Sequence, residues 1–360
     1  FGIIQEGMDA ISVEVPYHKP DISIPADIVE EILRIDGLDN IDIPTSITIT
    51  PSIAENALGE ELKEKVSVML TGLGFTEILT NSITNSKYFP EAHYSGVVKL
   101  LNNLSTELDV MRPSMLHTAL EVITFNLNRK NHDLKFFEFG KTYKTEDIGK
   151  YAEQDHLCLY VTGNITDNHW KHKAVSSDIY YIKGIVEALM QSLNIKSDYF
   201  ETKENSNELD VALSLRSNNY NLARFGNVSD AIASQFDIKQ PVYFIDLNWS
   251  IIVKEANTKT KFKEISKYPM VERDLAMIVS KQMKYEDISK QIKKLRLDKL
   301  KTLNLFDVFE SDKLGHDKKS MAVNFTFLDE EKTLTDKEID GWMNKIMTTL
   351  EKELNAEIRK

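Results

Sequence analysis

Four carboxylates crowd the start of the chain. In DISIPADIVEEILRIDGLDNIDIP, Asp27 lies i, i+3 and i, i+4 from Glu30 and Glu31, so these three can share one helix flank while Asp21 folds back from the loop before them. Oxygen-only ligands at this spacing suit a hard cation such as Mg2+, which keeps several waters and takes few carboxylates. The competing reading is a solvated helix whose acids sit in its first turns, where the macrodipole favours negative charge. A second group, Asp109, Arg112 and Glu138, has the makings of a buried ion pair or of a remnant pocket. Nothing beside it supplies a nucleophile with its base. A third, His169-Trp170-Lys171-His172, offers two imidazoles without a third ligand in a predicted loop, a pattern that is usually solvated. The last group is basic. Lys290, Lys293, Lys294, Arg296, Lys299 and Lys301 surround one predicted helix, opposed there only by Asp298, and Arg273, Lys318 and Lys319 fall near predicted strand ends. Such charges give salt-dependent attraction to phosphates, although a solvated face is the bland alternative for the helix cluster.

These groups need elements to hold them. A short strand at Ile11 to Val15 and a helix from Pro25 to Ile35, stopped at Gly37, carry the acids. Leu62, Val66, Met69, Leu70 and Leu73 form a helical stripe ahead of a strand in GFTEILTNSIT. Pro113 fits a first helical turn, and Leu116, Leu120, Ile123 and Leu127 recur on one face of the helix that follows. The run from Leu134 to Tyr143 reads as a strand with Phe137 and Phe139 on one side and Phe136 and Glu138 on the other. A carboxylate on that second side requires a partner. His156 to Thr162 alternates as a further strand.

From Tyr268 the order changes to βαββαβ: strands at Asp274 to Ser280, Leu303 to Phe309, Met321 to Leu328 and Ala356 to Arg359, with helices at Tyr285 to Leu297 and Asp336 to Leu354. Thr335-Asp336-Lys337-Glu338 has the form of a capping box ahead of the second helix. This order is the split βαβ of ferredoxin-like folds.

The 360 residues leave room for two or three domains, and 42% hydrophobic with 28% charged residues is ordinary globular composition. No run approaches a membrane span. Cys158 is the only cysteine, which excludes an intrachain disulfide, excludes on this reading a cysteine-based metal site, and suits a reducing, cytoplasmic setting. The chain opens on Phe1, and FGIIQEG reads as the middle of something longer, so a fragment is expected. The net charge of −12 is uneven: residues 268–360 carry 18 basic and 18 acidic residues, against 26 and 38 before them. The neutral last third therefore remains compatible with nucleic acid.

The run VMRPSML, a helix ending in NLNR and then FFEFGKTY resemble the catalytic-like domain of the phenylalanyl-tRNA synthetase β-subunit family. RDLAMIV, LFDVF, KKSMAVNFTF and TLTDKE resemble the anticodon-binding domain that closes those chains. The resemblance covers nearly the whole sequence. It implies an α+β fold in three parts: residues 1–50 as the end of a small helical, Mg2+-binding domain, 51–267 as a class II aminoacyl-tRNA synthetase-like antiparallel sheet domain that is catalytically inactive, and 268–360 as a ferredoxin-like anticodon-binding domain. Asp21, Asp27, Glu30 and Glu31 match the family's Mg2+ positions, which are shared with an α subunit. Within that last domain the expected tRNA contacts are Arg273, Lys318, Lys319, Lys293 and Lys294, chosen for their charge and their places around the first helix and near strand ends rather than by the resemblance.

The family's activity is ATP-dependent attachment of phenylalanine to tRNA(Phe) by an (αβ)2 enzyme, with ATP bound by α. In Gly140-Lys141-Thr142-Tyr143-Lys144-Thr145-Glu146, lysine stands where the catalytic relatives carry an arginine on the ATP phosphate, and an ammonium does not reproduce a planar fork. A glycine-rich ATP motif is also missing, and no P-loop or dinucleotide fingerprint replaces it. The rival readings are an autonomous ATP-dependent adenylating ligase and a freestanding RNA-binding protein. The first is opposed by Lys144, and the second leaves the middle of the chain unexplained.

Overall fold

A computed structural model describes all residues except 1, 7–9, 51–56, 93, 104, 148, 202–206, 218–219, 260–261, 312–313 and 360. The chain divides into two compact units, Phe1–Asn257 and Thr258–Lys360.

The first unit begins with a hairpin of Gly2–Glu6 and Ile11–Glu14, followed by helix α1, Pro25–Asp36. Gly37 ends α1 with φ +92°, a left-handed-region angle that a side chain resists. Helix α2 (Ala57–Gly72) leads to strand β1 (Thr76–Glu77), and helix α3 (Leu116–Leu127) to the long strands β2 (Leu134–Asp147) and β3 (Lys150–Thr162). Helix α4 (Ile179–Ser192) precedes strands β4 (Asp198–Glu201), β5 (Leu209–Ser217) and β6 (Tyr220–Val228). Helix α5 (Asp230–Gln235), strand β7 (Val242–Asn248) and helix α6 (Trp249–Glu255) close the unit. The seven strands form one sheet in the order β4-β5-β6-β7-β3-β2-β1. All neighbours run antiparallel except β1 and β2.

Alternation along the strands sends apolar side chains to both faces. Phe137, Leu157, Leu159, Val161, Phe225 and Ile245 pack with Leu62, Val66 and Leu70 of α2 and the buried side of α4. Phe136, Tyr160 and Phe244 face the other way, onto Leu116, Leu120 and Ile123 of α3. The stripe expected on the helix after Pro113 is thus the core of one layer. That helix starts at Leu116 rather than at Pro113, and Ser114 Oγ accepts the Leu116 N–H at 3.3 Å. The segment GFTEILTNSIT supplies only two-residue strands, Thr76–Glu77 and Ile83–Thr84, because Thr80 turns inward to the buried ion pair described below.

His117 lies in the first turn of α3, fully buried within an aromatic box of Tyr88, Phe89, Tyr94 and Phe236. Neither ring nitrogen has a hydrogen-bond partner among the described residues. Burial disfavours the imidazolium and pushes its pKa from the ordinary 6.5 to about 4. The native state therefore binds this proton less readily than the unfolded chain. Stability from this group is complete above the unfolded pKa and declines as pH falls toward the folded value. Between about pH 7.5 and about pH 4.5 the loss is about 2.5 kcal/mol. Urea midpoints of the natural chain and His117→Phe at the two pH values check this: the natural chain should lose more by that difference, and parallel losses would remove the His117 contribution.

The second unit contains strand β8 (Val271–Ser280), helix α7 (Tyr285–Lys294), strands β9 (Leu300–Phe309) and β10 (Lys318–Phe327), helix α8 (Asp336–Leu354) and strand β11 (Glu357–Arg359). The sheet order is β9-β10-β8-β11, antiparallel throughout. Leu275, Met277, Val279, Met321, Val323, Phe325 and Phe327 form its helix-covered face against Ile288, Ile292, Ile339, Ile346 and Leu350. Strands β8, β9 and β10 each begin three residues before the sequence expectation, because the ladder also pairs flanking polar residues such as Lys318 with Ser280. Helix α7 ends three residues earlier than expected: Leu295 caps it and Arg296 turns to φ +48°. At the start of α8, Glu338 accepts the Thr335 backbone N–H at 3.0 Å and the Thr335 hydroxyl at 2.8 Å. Among the described residues no helix is long and apolar enough to cross a membrane.

Candidate nucleic-acid interface

In the second unit both helices lie on one face of the sheet, and among the described residues no helix of the unit covers the other, although Ser320, Ala322 and Thr326 of its central strand are buried there. Directly paired residues point to the same side, so the open face is read from the register. It carries, among others, Thr302, Asn304, Asp307 and Phe309 on β9, Lys318, Ala322 and Asn324 on β10, Asp274 and Ile278 on β8, and Glu357 and Arg359 on β11. Phe309 is 53% exposed and Phe306, at the bulge between Leu305 and Asp307, is 57% exposed. Phenylalanine rings left in water on a sheet are costly unless something stacks on them. On the same face Asn324 donates to Asp274 at 2.7 Å, and Lys318 pairs with Glu357. The surface thus combines ring faces, amide edges and a cation, the functional groups that unpaired bases require.

The five basic residues singled out from the sequence do not form one patch. Arg273 pairs across the ladder with Phe325 near one end of the sheet, on the helix-covered side, and its guanidinium donates to Asp336 at 2.8 Å. Lys318 and Lys319 sit opposite Ser280 and Val279, at the other end, Lys318 on the open face and Lys319 on the helix side. Lys293 and Lys294 are exposed on the last turn of α7, which returns to the Arg273 end, since β9 then starts opposite Phe327, the partner of Val271. The basic cluster around α7 is also less basic than its sequence suggested. Glu286 pairs with Lys290, Asp329 with Lys299 at 2.9 Å, and Glu330 with Lys301 at 3.2 Å. Those acids lie elsewhere on the helix or beyond β10, outside the sequence window in which only Asp298 opposed the lysines. LFDVF helps to carry the resemblance to the anticodon-binding domain, but Phe306 and Phe309 are not among the candidate contact residues read from the sequence. The signal was there in the excess of aromatics on both alternating faces of an edge strand.

Two of the four carboxylates on helix α1 and the turn before it are engaged locally. Asp27 spends one oxygen on the backbone N–H groups of Ser23 and Ile24, at 2.7 and 2.9 Å, and these bonds hold its carboxyl below the usual range. Glu31 is paired with Arg34 at 3.0 Å and Lys19 at 2.6 Å, which draw its pKa down to about 2. Asp21 and Glu30 are exposed. Among the described residues no three of these acids bring oxygens within 4.8 Å of one another. As arranged, Glu31 and one oxygen of Asp27 are already engaged, so no more than Asp21, Glu30 and the second Asp27 oxygen stand ready for a cation.

In the first unit the carboxylate of Glu138 meets Arg112. The pair is 3.1 Å apart with side chains 0% and 2% exposed. Thr80 completes it, donating its backbone N–H to Glu138 at 3.0 Å, while Arg112 reaches the Thr80 hydroxyl at 2.7 Å and the Lys141 carbonyl at 2.9 Å. Asp109 is not part of this group; it accepts from the Ser86 N–H and hydroxyl at 2.8 and 2.7 Å. Arg112 and Met115 lie so close over Gly140 that any Cβ there would collide with both. His169 and His172 face each other across a small hairpin, stacked at 5.3 Å with Trp170 exposed beside them.

Fold and site together define a class: an α+β chain that joins a large mixed-layer unit to a ferredoxin-like module with an open, aromatic-bearing sheet face. Comparison with known proteins narrows this. Residues 43–249 match the family model of the phenylalanyl-tRNA synthetase beta chain CLM domain, residues 266–359 that of the ferredoxin-fold anticodon binding domain, and residues 1–38 that of the tRNA synthetase B5 domain. The chain belongs to the phenylalanyl-tRNA synthetase β-chain family. Curated phenylalanine–tRNA ligase beta subunits from Bacteroides thetaiotaomicron, Porphyromonas gingivalis and Listeria monocytogenes are 38%, 33% and 32% identical to it, each over 99% of this chain. The chain spans about 45% of the length of these relatives. A solved pyrrolysyl-tRNA synthetase from Desulfitobacterium hafniense, 14% identical, aligns with 55% of this chain and 68% of its own at a TM-score of 0.43, too loose a likeness to fix the fold of the core.

Proposed function

We propose that this chain serves as the tRNA-binding, non-catalytic part of a phenylalanine–tRNA ligase β subunit, working with an α subunit in an (αβ)2 enzyme that binds ATP and activates phenylalanine on α. The observation that carries the proposal is the open sheet face of the second unit, with its exposed phenylalanines, in the segment that matches the anticodon-binding model. It divides the chain into a small acidic helical part (1–50), a core (51–267) and an RNA-binding module (268–360).

The core is proposed as a class II synthetase-like domain that has lost its chemistry. Lys144 replaces the phosphate-gripping arginine, Lys141 is turned to Glu153 at 2.7 Å, and the surface over Gly140 is filled by Arg112 and Met115. Such a surface is suited to packing against a partner rather than to holding a nucleotide. Magnesium rests on the likeness of sequence alone. In the assembled enzyme Asp21, Asp27, Glu30 and Glu31 would contribute only after Glu31 leaves Lys19 and Arg34, so the metal belongs to the complex.

Arg273, Lys318, Lys319, Lys293 and Lys294 are proposed as phosphate contacts flanking the stacking surface at its two ends. In the reconstituted αβ enzyme, Arg273→Ala should weaken tRNA binding and reduce the slope of log affinity against log salt by about 0.9, the contribution of one phosphate contact to a duplex stem. Phenylalanine activation should be unchanged. Its exposed pair with Asp336 is worth little, so the variant should fold normally. Equal losses in activation and tRNA binding would contradict the division of labour.

A further inference from the structure

On the α3 side of the large sheet, neighbouring strands set three different donor atoms side by side. His156 and Cys158 are two apart on β3 and share a face, and Asp246 on β7 stands directly opposite Cys158. His156 Nδ1 is 2.6 Å from Asp246 Oδ1, and Cys158 Sγ is 3.6 Å from the same oxygen. All three atoms lie within 4.8 Å of one another, and among the described residues no other group of histidine, cysteine, aspartate or glutamate meets that condition. His156 and Cys158 are buried, whereas the Asp246 side chain keeps 23% exposure. We propose that His156 Nδ1, Cys158 Sγ and Asp246 Oδ1 form a binding site for a divalent d-block cation of the zinc class, with water in the fourth position on the Asp246 side.

The donor set chooses the ion. One nitrogen, one sulfur and one oxygen suit a borderline-soft tetrahedral cation and exclude the all-oxygen preference of Mg2+ or Ca2+. Zinc bond lengths put neighbouring donors roughly 3.3–3.7 Å apart, so the S–O spacing already fits. The N–O spacing must open from 2.6 Å, which rotation of the partly exposed Asp246 carboxylate supplies. Thr142 Oγ1, 2.8 Å from His156 Nε2, can accept the Nε2 proton and so hold the tautomer whose Nδ1 lone pair faces the ion.

The surrounding charges favour a cation. Glu138 stands opposite Cys158 on β2 and Asp246 opposite it on β7; burial first, and then these carboxylates, push the thiol well above its usual range. The facing cations are Arg112, already bonded to Glu138, and Arg224, bonded to Glu208 and attracted by Asp246. A thiolate in this position needs a further positive charge close by. On binding, the Cys158 thiol proton leaves to solvent as the S–metal bond forms, and the His156 proton moves from Nδ1 to Nε2. One proton is released per ion. The sequence reading excluded a cysteine-based site by counting cysteines, which overlooks a mixed trio assembled across two strands.

The test is a Co2+ titration of the whole chain. The expected result is a near-ultraviolet thiolate-to-Co2+ charge-transfer band that saturates at one ion per chain, is displaced by Zn2+, and is lost in Cys158→Ser. Asp246→Asn, which keeps the size of the side chain, should weaken binding at least about tenfold without unfolding the protein. The exposed His169–His172 hairpin is the competing site, and it can offer only imidazole. Absence of a charge-transfer band in the natural chain overturns the proposal, as does a band that survives Cys158→Ser. Cobalt absorption that disappears only in His172→Ala also overturns it, since the ion then lies at the hairpin.

Discussion

Glu138→Leu should cost the first unit about 3–5 kcal/mol, the usual penalty for leaving one member of a buried ion pair without its partner. Arg112 is 2% exposed and always charged, and after the substitution it retains only the Thr80 hydroxyl and the Lys141 carbonyl as acceptors. The Thr80 N–H loses its acceptor at the same time. Urea unfolding followed by the fluorescence of Trp249, which packs in the core on the other face of the same sheet, reads the loss of the whole unit. The double variant Arg112→Met, Glu138→Leu should recover most of it, because replacing both charges with apolar groups of similar volume is often neutral or better. A double variant as unstable as the single one would show that the two residues do not act as a unit. The pair matters for function because it fixes Thr80 and the approach to α3 while covering Gly140.

Phe306→Ala with Phe309→Ala should lower affinity for tRNA by about 1–3 kcal/mol for each base that stacks. Both rings are more than half exposed, at 57% and 53%, so the double variant should keep the fold and its unfolding midpoint. Filter binding or anisotropy with an anticodon stem-loop reads the effect. The stacking contribution should persist at high salt, whereas the contribution of Lys318, Lys319, Lys293 and Lys294 fades. If the double variant binds as tightly as the natural chain, the open sheet face is not the RNA surface. The helix side, where Arg273 lies, then becomes the candidate.

The sequence disclosed most of the fold because the periodicities were clean. Leu116, Leu120 and Ile123 are buried as their spacing required, and Phe137 and Glu138 face opposite ways as strand alternation required, with Arg112 as the partner that Glu138 needed. The βαββαβ order of the second unit was legible for the same reason, down to the Glu338 cap of α8. What stayed hidden depends on contacts distant in sequence. Counter-charges for Lys299 and Lys301 come from Asp329 and Glu330, about thirty residues away, so counting charges within one helix overstated the basic patch. Glu31 lost its place among free carboxylates to Lys19, twelve residues earlier, which helical spacing cannot reveal. The His156, Cys158 and Asp246 trio exists only because β7 pairs with β3 in one register.

On the proposed function, this chain is the partner-binding and tRNA-binding part of a synthetase whose chemistry resides on another subunit. Light scattering of this chain mixed with the α subunit of the same organism's phenylalanine–tRNA ligase, with the natural full-length β chain as control, tests it most directly. The expected result is a mixed complex of two chains of each kind. Two separate species, when the full-length control assembles, would contradict the placement of the α-binding surface on this core.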